Sequence, residues 1–104
     1  MNSVRLESPA FVEAYRTAPG AVVIDVRTPT EYHHGHMQDA INIPYGHASF
    51  LDDVRALDTS VPYFVYCFSG ARSAHACALM KEAGISYIVD LAGGIGRAPE
   101  LLDT

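Results

Sequence analysis

The stretch "YFVYCFSGARSAHACALMKEAGI", Tyr63 to Ile85, decides how this chain folds. Its first four residues are aromatic or β-branched, which reads as a buried strand, Tyr63–Tyr66. The run stops at Cys67. Phe68, Ser69, Gly70 and Ala71 then form a short loop, and Arg72 leads into an alanine-rich segment. Ser73–Ala83 reads as a helix, with Ala76, Met80 and Ala83 on one stripe and Gly84 just past its end. A further strand follows at Tyr87–Leu91, "YIVDL". Strand, loop, helix and strand in that order make the unit from which parallel sheets are built.

The same alternation extends toward the N-terminus. A first strand is expected at Ser3–Glu7. Ser8 caps and Pro9 opens a helix reaching about Thr17, because proline at the first helical position sacrifices no hydrogen bond. "AVVID", Ala21–Asp25, is an apolar run of the kind buried on both faces of a parallel sheet. "TPTE", Thr28–Glu31, fits a capping box with proline at the first helical position, and Gly35 ends the short helix it opens. "INI", Ile41–Ile43, is a strand stopped by Pro44, and Ala48–Leu57 is helical. The fold class is α/β with a largely parallel sheet.

Composition narrows the function classes. The 104 residues suit one domain, residues 1–104, with a single hydrophobic core. Apolar residues make up 49% and charged residues 18%, as in globular rather than disordered chains. The net charge is −5, and no cluster of Lys and Arg exists to neutralise phosphates. Nucleic-acid and anionic-membrane partners are therefore not expected. Asp52 and Asp53, the adjacent acidic pair, read as a solvated helix face. No apolar run is long enough to span a bilayer, and the N-terminus has no signal-peptide h-region. The two cysteines, Cys67 and Cys77, are read as free thiols in a reducing compartment, and the expected location is cytoplasmic. With no CxxC spacing and no second cysteine pair, no metal site or other cofactor is expected.

Cys67 sits where ligands bind in open α/β sheets, at the carboxyl end of a strand. The loop that follows leads to a helix N-terminus, whose unpaired N–H groups and partial positive charge attract an anion. Small residues let the backbone curl inward, Gly70 allows a conformation other residues resist, and Arg72 adds a positive charge. Together they favour a thiolate at Cys67, or a monoanion attached to its sulfur. A buried structural cysteine is the competing account, and the combination outweighs it. Cys77 lies inside the helix beside Ala76 and Met80. It reads as core packing, with a resolving thiol as the alternative.

These segments identify the chain as resembling a single-domain rhodanese, a sulfurtransferase. The resemblance is carried by "VVIDVRTPTEYHHGHMQDAINIP" (Val22–Pro44), "YFVYCFSGARSAHACALMKEAGI" and "VDLAGGI" (Val89–Ile95), in the family's order. It implies a five-stranded parallel sheet flanked by helices on both faces. It also implies that Cys67 takes up a sulfane sulfur as a persulfide and hands it to a thiophilic acceptor in a double displacement. The amides of Phe68, Ser69, Gly70, Ala71, Arg72 and Ser73 would form the cradle, and Arg72 would supply charge and orient the loop. Expected partners are a small donor such as thiosulfate or an organic persulfide, and cyanide, a low-molecular-weight thiol or a protein cysteine as acceptor. The expected assembly is a monomer or weak homodimer.

Two rivals are weighed against this. A cysteine-dependent phosphatase resembles the pattern, but only four residues separate Cys67 from Arg72, a tight ring for a tetrahedral phosphoryl group. A sulfur carrier or regulatory docking module is the second, and an intact Cys67 and Arg72 argue against an inactive version of it.

Several residues depart from the family pattern or invite other readings. Phe68 stands where many relatives have a basic or polar residue, so an organic persulfide could gain a contact that thiosulfate lacks. No tryptophan follows Gly93-Gly94. Arg97 near that place reads as a surface arginine, with a pocket-rim anion contact as the alternative. Asp39 occupies a turn position often held by glycine, which aspartate tolerates. "HHGH", His33–His36, reads as a surface helix rather than a metal site, and His75 as exposed. Arg27 and Glu31 are expected to pair at a helix start. Asp25, at a strand end, is a minor candidate for lining the pocket.

Overall fold

The computed structural model describes residues 2–102. Five strands, β1 (Asn2–Leu6), β2 (Val22–Asp25), β3 (Ile41–Asn42), β4 (Pro62–Tyr66) and β5 (Tyr87–Leu91), form one sheet. Their order is β1-β5-β4-β2-β3, and every pairing is parallel. Four helices connect them: α1 (Ser8–Arg16), α2 (Pro29–His33), α3 (Phe50–Arg55) and α4 (Ala71–Glu82). Single-turn helices at Ile95–Arg97 and Pro99–Leu101 follow β5. The central strand β4 is the one whose aromatic and β-branched residues read as a buried strand, and it is flanked on both edges.

Alternation along the strands divides the core into two layers. Tyr63, Val65 and Cys67 point to one face with Ile24, Val26 and Ile88, and meet Phe50 and Val54 of α3 and Ala76, Cys77 and Met80 of α4. Phe64 and Tyr66 point to the other with Val23, Val89 and Leu91, and meet Phe11 of α1, Met37, Ala40 and Ile95. The Phe64 ring lies edge-on to those of Phe11 and Tyr15, with centroids 5.4 and 5.5 Å away. Cys67 therefore inherits from its strand the face that α4 covers. No helix among the described residues is long and apolar enough to cross a membrane.

Local expectations and geometry differ at a few boundaries, and each difference has a cause. The α1 cap is Glu7 rather than Ser8, because β1 ends one residue earlier and Ser8 is already helical. The capping box at Thr28 is complete: its hydroxyl accepts from Glu31 N at 3.2 Å, and the Glu31 carboxylate accepts from Thr28 N at 3.2 Å. Asp39 adopts the left-handed conformation (φ 65°). Helix α4 starts at Ala71, two residues before the expected Ser73, because Gly70 (φ 100°) makes the whole turn by itself.

A buried ion pair underlies the α2 side of the sheet. Arg27 does not pair with Glu31 as expected. Its Nε donates to both Asp25 oxygens at 3.0 Å, and its second guanidinium nitrogen reaches Asp25 Oδ2 at 2.6 Å and the Gly35 carbonyl at 2.7 Å. Asp25 is wholly buried, so it braces the core and does not line a pocket. The guanidinium also lies 5.4 Å from the Tyr66 ring centroid, and the Tyr66 hydroxyl accepts from Met37 N at 2.9 Å. Burial opposes the charge on Arg27, yet Asp25 outweighs it and holds the pKa above its ordinary value. Burial, foremost, also pushes the Tyr66 phenol up.

Removing one partner of a dry pair strands the other charge. Arg27→Met should therefore cost about 3–5 kcal/mol in chemical denaturation. The double variant Asp25→Asn/Arg27→Met should lose clearly less than Arg27→Met alone, and a double loss equal to the sum of the two single losses would mean that the two groups are not coupled.

Candidate active site

The sulfur of Cys67 lies where β4 ends and α4 begins. Two backbone amides point at it: Gly70 N at 3.0 Å and Ser73 N at 3.3 Å. The thiol in turn donates to Ser73 Oγ at 3.5 Å, and that hydroxyl donates to the Gly70 carbonyl at 3.3 Å. Of the six amides expected to form the cradle, these two reach Sγ itself, and the other loop residues shape the turn that aims them. Ser73 is completely buried and Gly70 is buried, whereas Phe68, Ser69 and Ala71 are exposed. Cys67 has no exposed surface at all, so the loop closes over the sulfur.

The loop is held from three directions. From the C-terminal side, Ile95 N donates to the Cys67 carbonyl and Gly96 N to the Phe68 carbonyl, both at 2.8 Å. That approach needs Gly94, since a Cβ there (φ 72°) would lie 2.1 Å from the Phe68 carbonyl oxygen. From α2, Glu31 receives Arg72 in a two-point contact, Nη1 to Oε1 at 2.8 Å and Nη2 to Oε2 at 3.1 Å. Glu31 thus takes Arg72, not Arg27, as its partner. From β1, Arg5 donates to the Gly70 carbonyl at 3.1 Å and pairs with Asp90 Oδ2 at 3.1 Å.

The Arg5 contact had no signal in the sequence, because its two partners lie on β5 and in the cysteine loop. Asp90 is buried, and its Oδ1 has no hydrogen-bond partner among the described residues; the nearby Ser73 hydroxyl is engaged by Gly70. Burial pushes the Asp90 carboxyl up, with Ser73 and Arg5 pulling part of the way back. Cys77 is buried on the core-facing side of α4, and burial, followed by the Asp90 charge, pushes its thiol up. These surroundings are those of a packed side chain.

The distractors resolve in space. His33 and His34 are exposed, while His36 stacks on Tyr32 with centroids 3.7 Å apart and contacts the Tyr32 carbonyl through Nδ1 at 2.8 Å. His75 is exposed and stacks on Tyr45. Arg97 is exposed, yet it frames a cavity of about 290 Å³ beside the cysteine loop, with Phe68, Ser69, Gly93 and Gly96. Phe68 is 56% exposed, and its ring lies against Gly96.

The hydrogen bond from Arg72 is the main reason the Glu31 carboxyl falls from its ordinary 4.5 to about 2, with Thr28 adding a smaller pull. A depressed carboxylate contributes stability above its unfolded-state pKa and loses it as pH falls through the folded value. The Arg72–Glu31 tie should therefore be intact at pH 4.5 and release only near pH 2. A carbon-detected NMR titration of the Glu31 carboxyl should show a midpoint near 2. Arg72→Met should return it toward 4.5, and a midpoint unchanged by that substitution would disprove the tie.

Comparison with known proteins agrees with this arrangement. The family described as "Rhodanese-like domain" matches residues 8–97. A thiosulfate sulfurtransferase GlpE of Pseudomonas entomophila is 34% identical over 90% of this chain and 84% of its own. A sulfurtransferase of Allochromatium vinosum is 30% identical over 86% of this chain and 82% of its own. Among solved structures, a rhodanese-related protein of Thermoplasma volcanium is 30% identical, with a TM-score of 0.75 over 96% of this chain and 92% of its own. A Staphylococcus saprophyticus protein reaches a TM-score of 0.80 at 26% identity, with both chains fully covered. The fully parallel five-stranded sheet, the strand-loop-helix turn around Cys67 and these matches together make the chain a member of the rhodanese-like family.

Proposed function

We propose that the protein transfers sulfane sulfur from a small donor to a thiophilic acceptor, with Cys67 as nucleophile and carrier. The observation that carries this reading is the pair of amides, Gly70 N and Ser73 N, aimed at Sγ from the start of α4. Such donors stabilise negative charge on sulfur without a metal or a proton donor.

The reaction divides into two displacements. In the first, the Cys67 thiolate attacks the sulfane sulfur of the donor. The new Sγ–S bond forms as the donor's S–S bond breaks, and the electron pair leaves on sulfite or on an organic thiolate. In the second, the acceptor attacks the terminal sulfur, the Sγ–S bond breaks, and its electrons return to Cys67 as thiolate. Cyanide would leave as thiocyanate, and a thiolate acceptor would leave as a persulfide. No external oxidant or reductant enters, and no metal or organic cofactor takes part.

The remaining loop residues support these steps. Gly70 and Ser73 supply the amides of the anion cradle that reach Sγ, and Phe68, Ser69 and Ala71 complete its loop. Arg72, fixed by Glu31, supplies positive charge at its edge, and its own charge is favoured chiefly by Glu31 with a smaller contribution from Cys67. Thiosulfate, named for the relatives, is one candidate donor. An organic persulfide bearing a carboxylate is the other, since its apolar body suits Phe68 and its charge suits Arg97 at the rim of the neighbouring cavity. The acceptor is a small thiol or a cysteine of another protein.

Intact mass spectrometry after incubation with thiosulfate, and separately with glutathione persulfide, tests the reading. Wild type should gain the mass of one sulfur atom and lose it to cyanide. Cys67→Ser should gain nothing, and Cys77→Ser should behave as wild type. Equal loss in both serine variants would indicate a dithiol mechanism. No uptake by folded wild type would overturn the proposal, and aryl phosphates would be the next substrates.

A further inference from the structure

We infer that Arg5, anchored by Asp90, is a positioning residue for the cysteine loop, a role that rests on Cys67 being the sulfur carrier. Arg5 and Asp90 stand directly opposite each other in the parallel pairing of β1 with β5. One guanidinium nitrogen binds Asp90 Oδ2 and the other binds the Gly70 carbonyl, each at 3.1 Å. A single planar fork thus joins the sheet edge to the residue whose N–H lies 3.0 Å from Sγ.

The geometry gives this contact leverage. Gly70 takes φ 100°, and a Cβ there would lie 2.6 Å from the Arg5 guanidinium, so loop and arginine are in direct contact. The Gly70 carbonyl also receives Ser73 Oγ and Ala74 N, but both belong to the helix that the loop itself starts. Arg5 is its one charged donor among the described hydrogen bonds, and the one that comes from the sheet. A trans peptide sets its N–H opposite its C=O, so holding the Gly70 carbonyl fixes the direction of the Ala71 N–H as well. Asp90 keeps the fork in place. Its carboxylate is buried while Arg5 is half-exposed, with side-chain exposures of 6% and 46%, so Asp90 is the fixed end and Arg5 the reaching one.

Steady-state kinetics with thiosulfate and cyanide, and with glutathione persulfide, would compare wild type, Arg5→Gln, Arg5→Lys, Asp90→Asn and Leu6→Ala. Leu6 is partly buried against the opposite layer and serves as a control for weakening β1. Misplaced amides affect the reacting sulfur more than donor capture, so Arg5→Gln should lower kcat roughly 10- to 100-fold with KM within about twofold. Arg5→Lys should recover part of the loss, because it keeps the charge but not the two-point fork. Asp90→Asn should fall in the same direction by less. The inference is overturned if Arg5→Gln keeps kcat within about twofold of wild type, or if Leu6→Ala at matched thermal stability loses as much. Failure of wild type to take up sulfur would instead strike the carrier reading, which the mass measurement decides separately.

Discussion

Only four residues, Cys67 to Gly70, lie between the end of β4 at Tyr66 and the start of α4 at Ala71, and in that interval the chain must reverse and aim its amides inward. Gly70 makes this possible by taking a backbone angle that an L side chain resists. Once the turn is made, the sulfur lies against the first turn of a helix, the most electropositive part of the backbone. The rest of the architecture serves to keep that turn in place. Strand β4 fixes its first residue in the middle of the sheet. The segment after β5 passes so near that Gly94 must lack a side chain. Both neighbours are set by the sheet order, so the site is a consequence of the topology as much as of the loop.

Three arginines share the charge balance around this point, each with its own carboxylate. Arg27 takes Asp25 in the core, Arg72 takes Glu31 at the surface of α2, and Arg5 takes Asp90 at the sheet edge. They differ in burial and therefore in purpose. The dry Arg27–Asp25 pair fixes the chain leaving β2, where loss of one member would be severe. The two half-exposed arginines contribute less to stability. Their geometry matters more, because each connects a separate element to the cysteine loop.

Much of this was legible because the informative features are local. The run "YFVYCFSGARSAH" displays strand, turn and helix within a few residues, and capping at Thr28 and the left-handed Asp39 are properties of single turns. The family pattern supplied the five-stranded parallel sheet, whereas of the six amides it implied for the cradle two reach the sulfur. What could not be read was pairing across the fold. Arg27 and Glu31 are close in sequence and look like partners, yet strand alternation turns Arg27 inward to Asp25 while α4 brings Arg72 to Glu31. Arg5 gave no sign at all, since β1 joins β5 only through the crossover order. The early start of α4 was hidden for a simpler reason: Ala71 and Arg72 suit a loop as well as a helix until Gly70 is known to complete the turn.

The complete burial of the Cys67 sulfur has a bearing on chemical damage. A thiolate open to solvent is attacked by peroxide and climbs from sulfenic to sulfinic acid, beyond which recovery is rare. A sulfur beneath a closed loop meets oxidant and donor alike only during the moments when the covering atoms part. The same three braces that order the amides therefore also keep solvent and its oxidants off the sulfur.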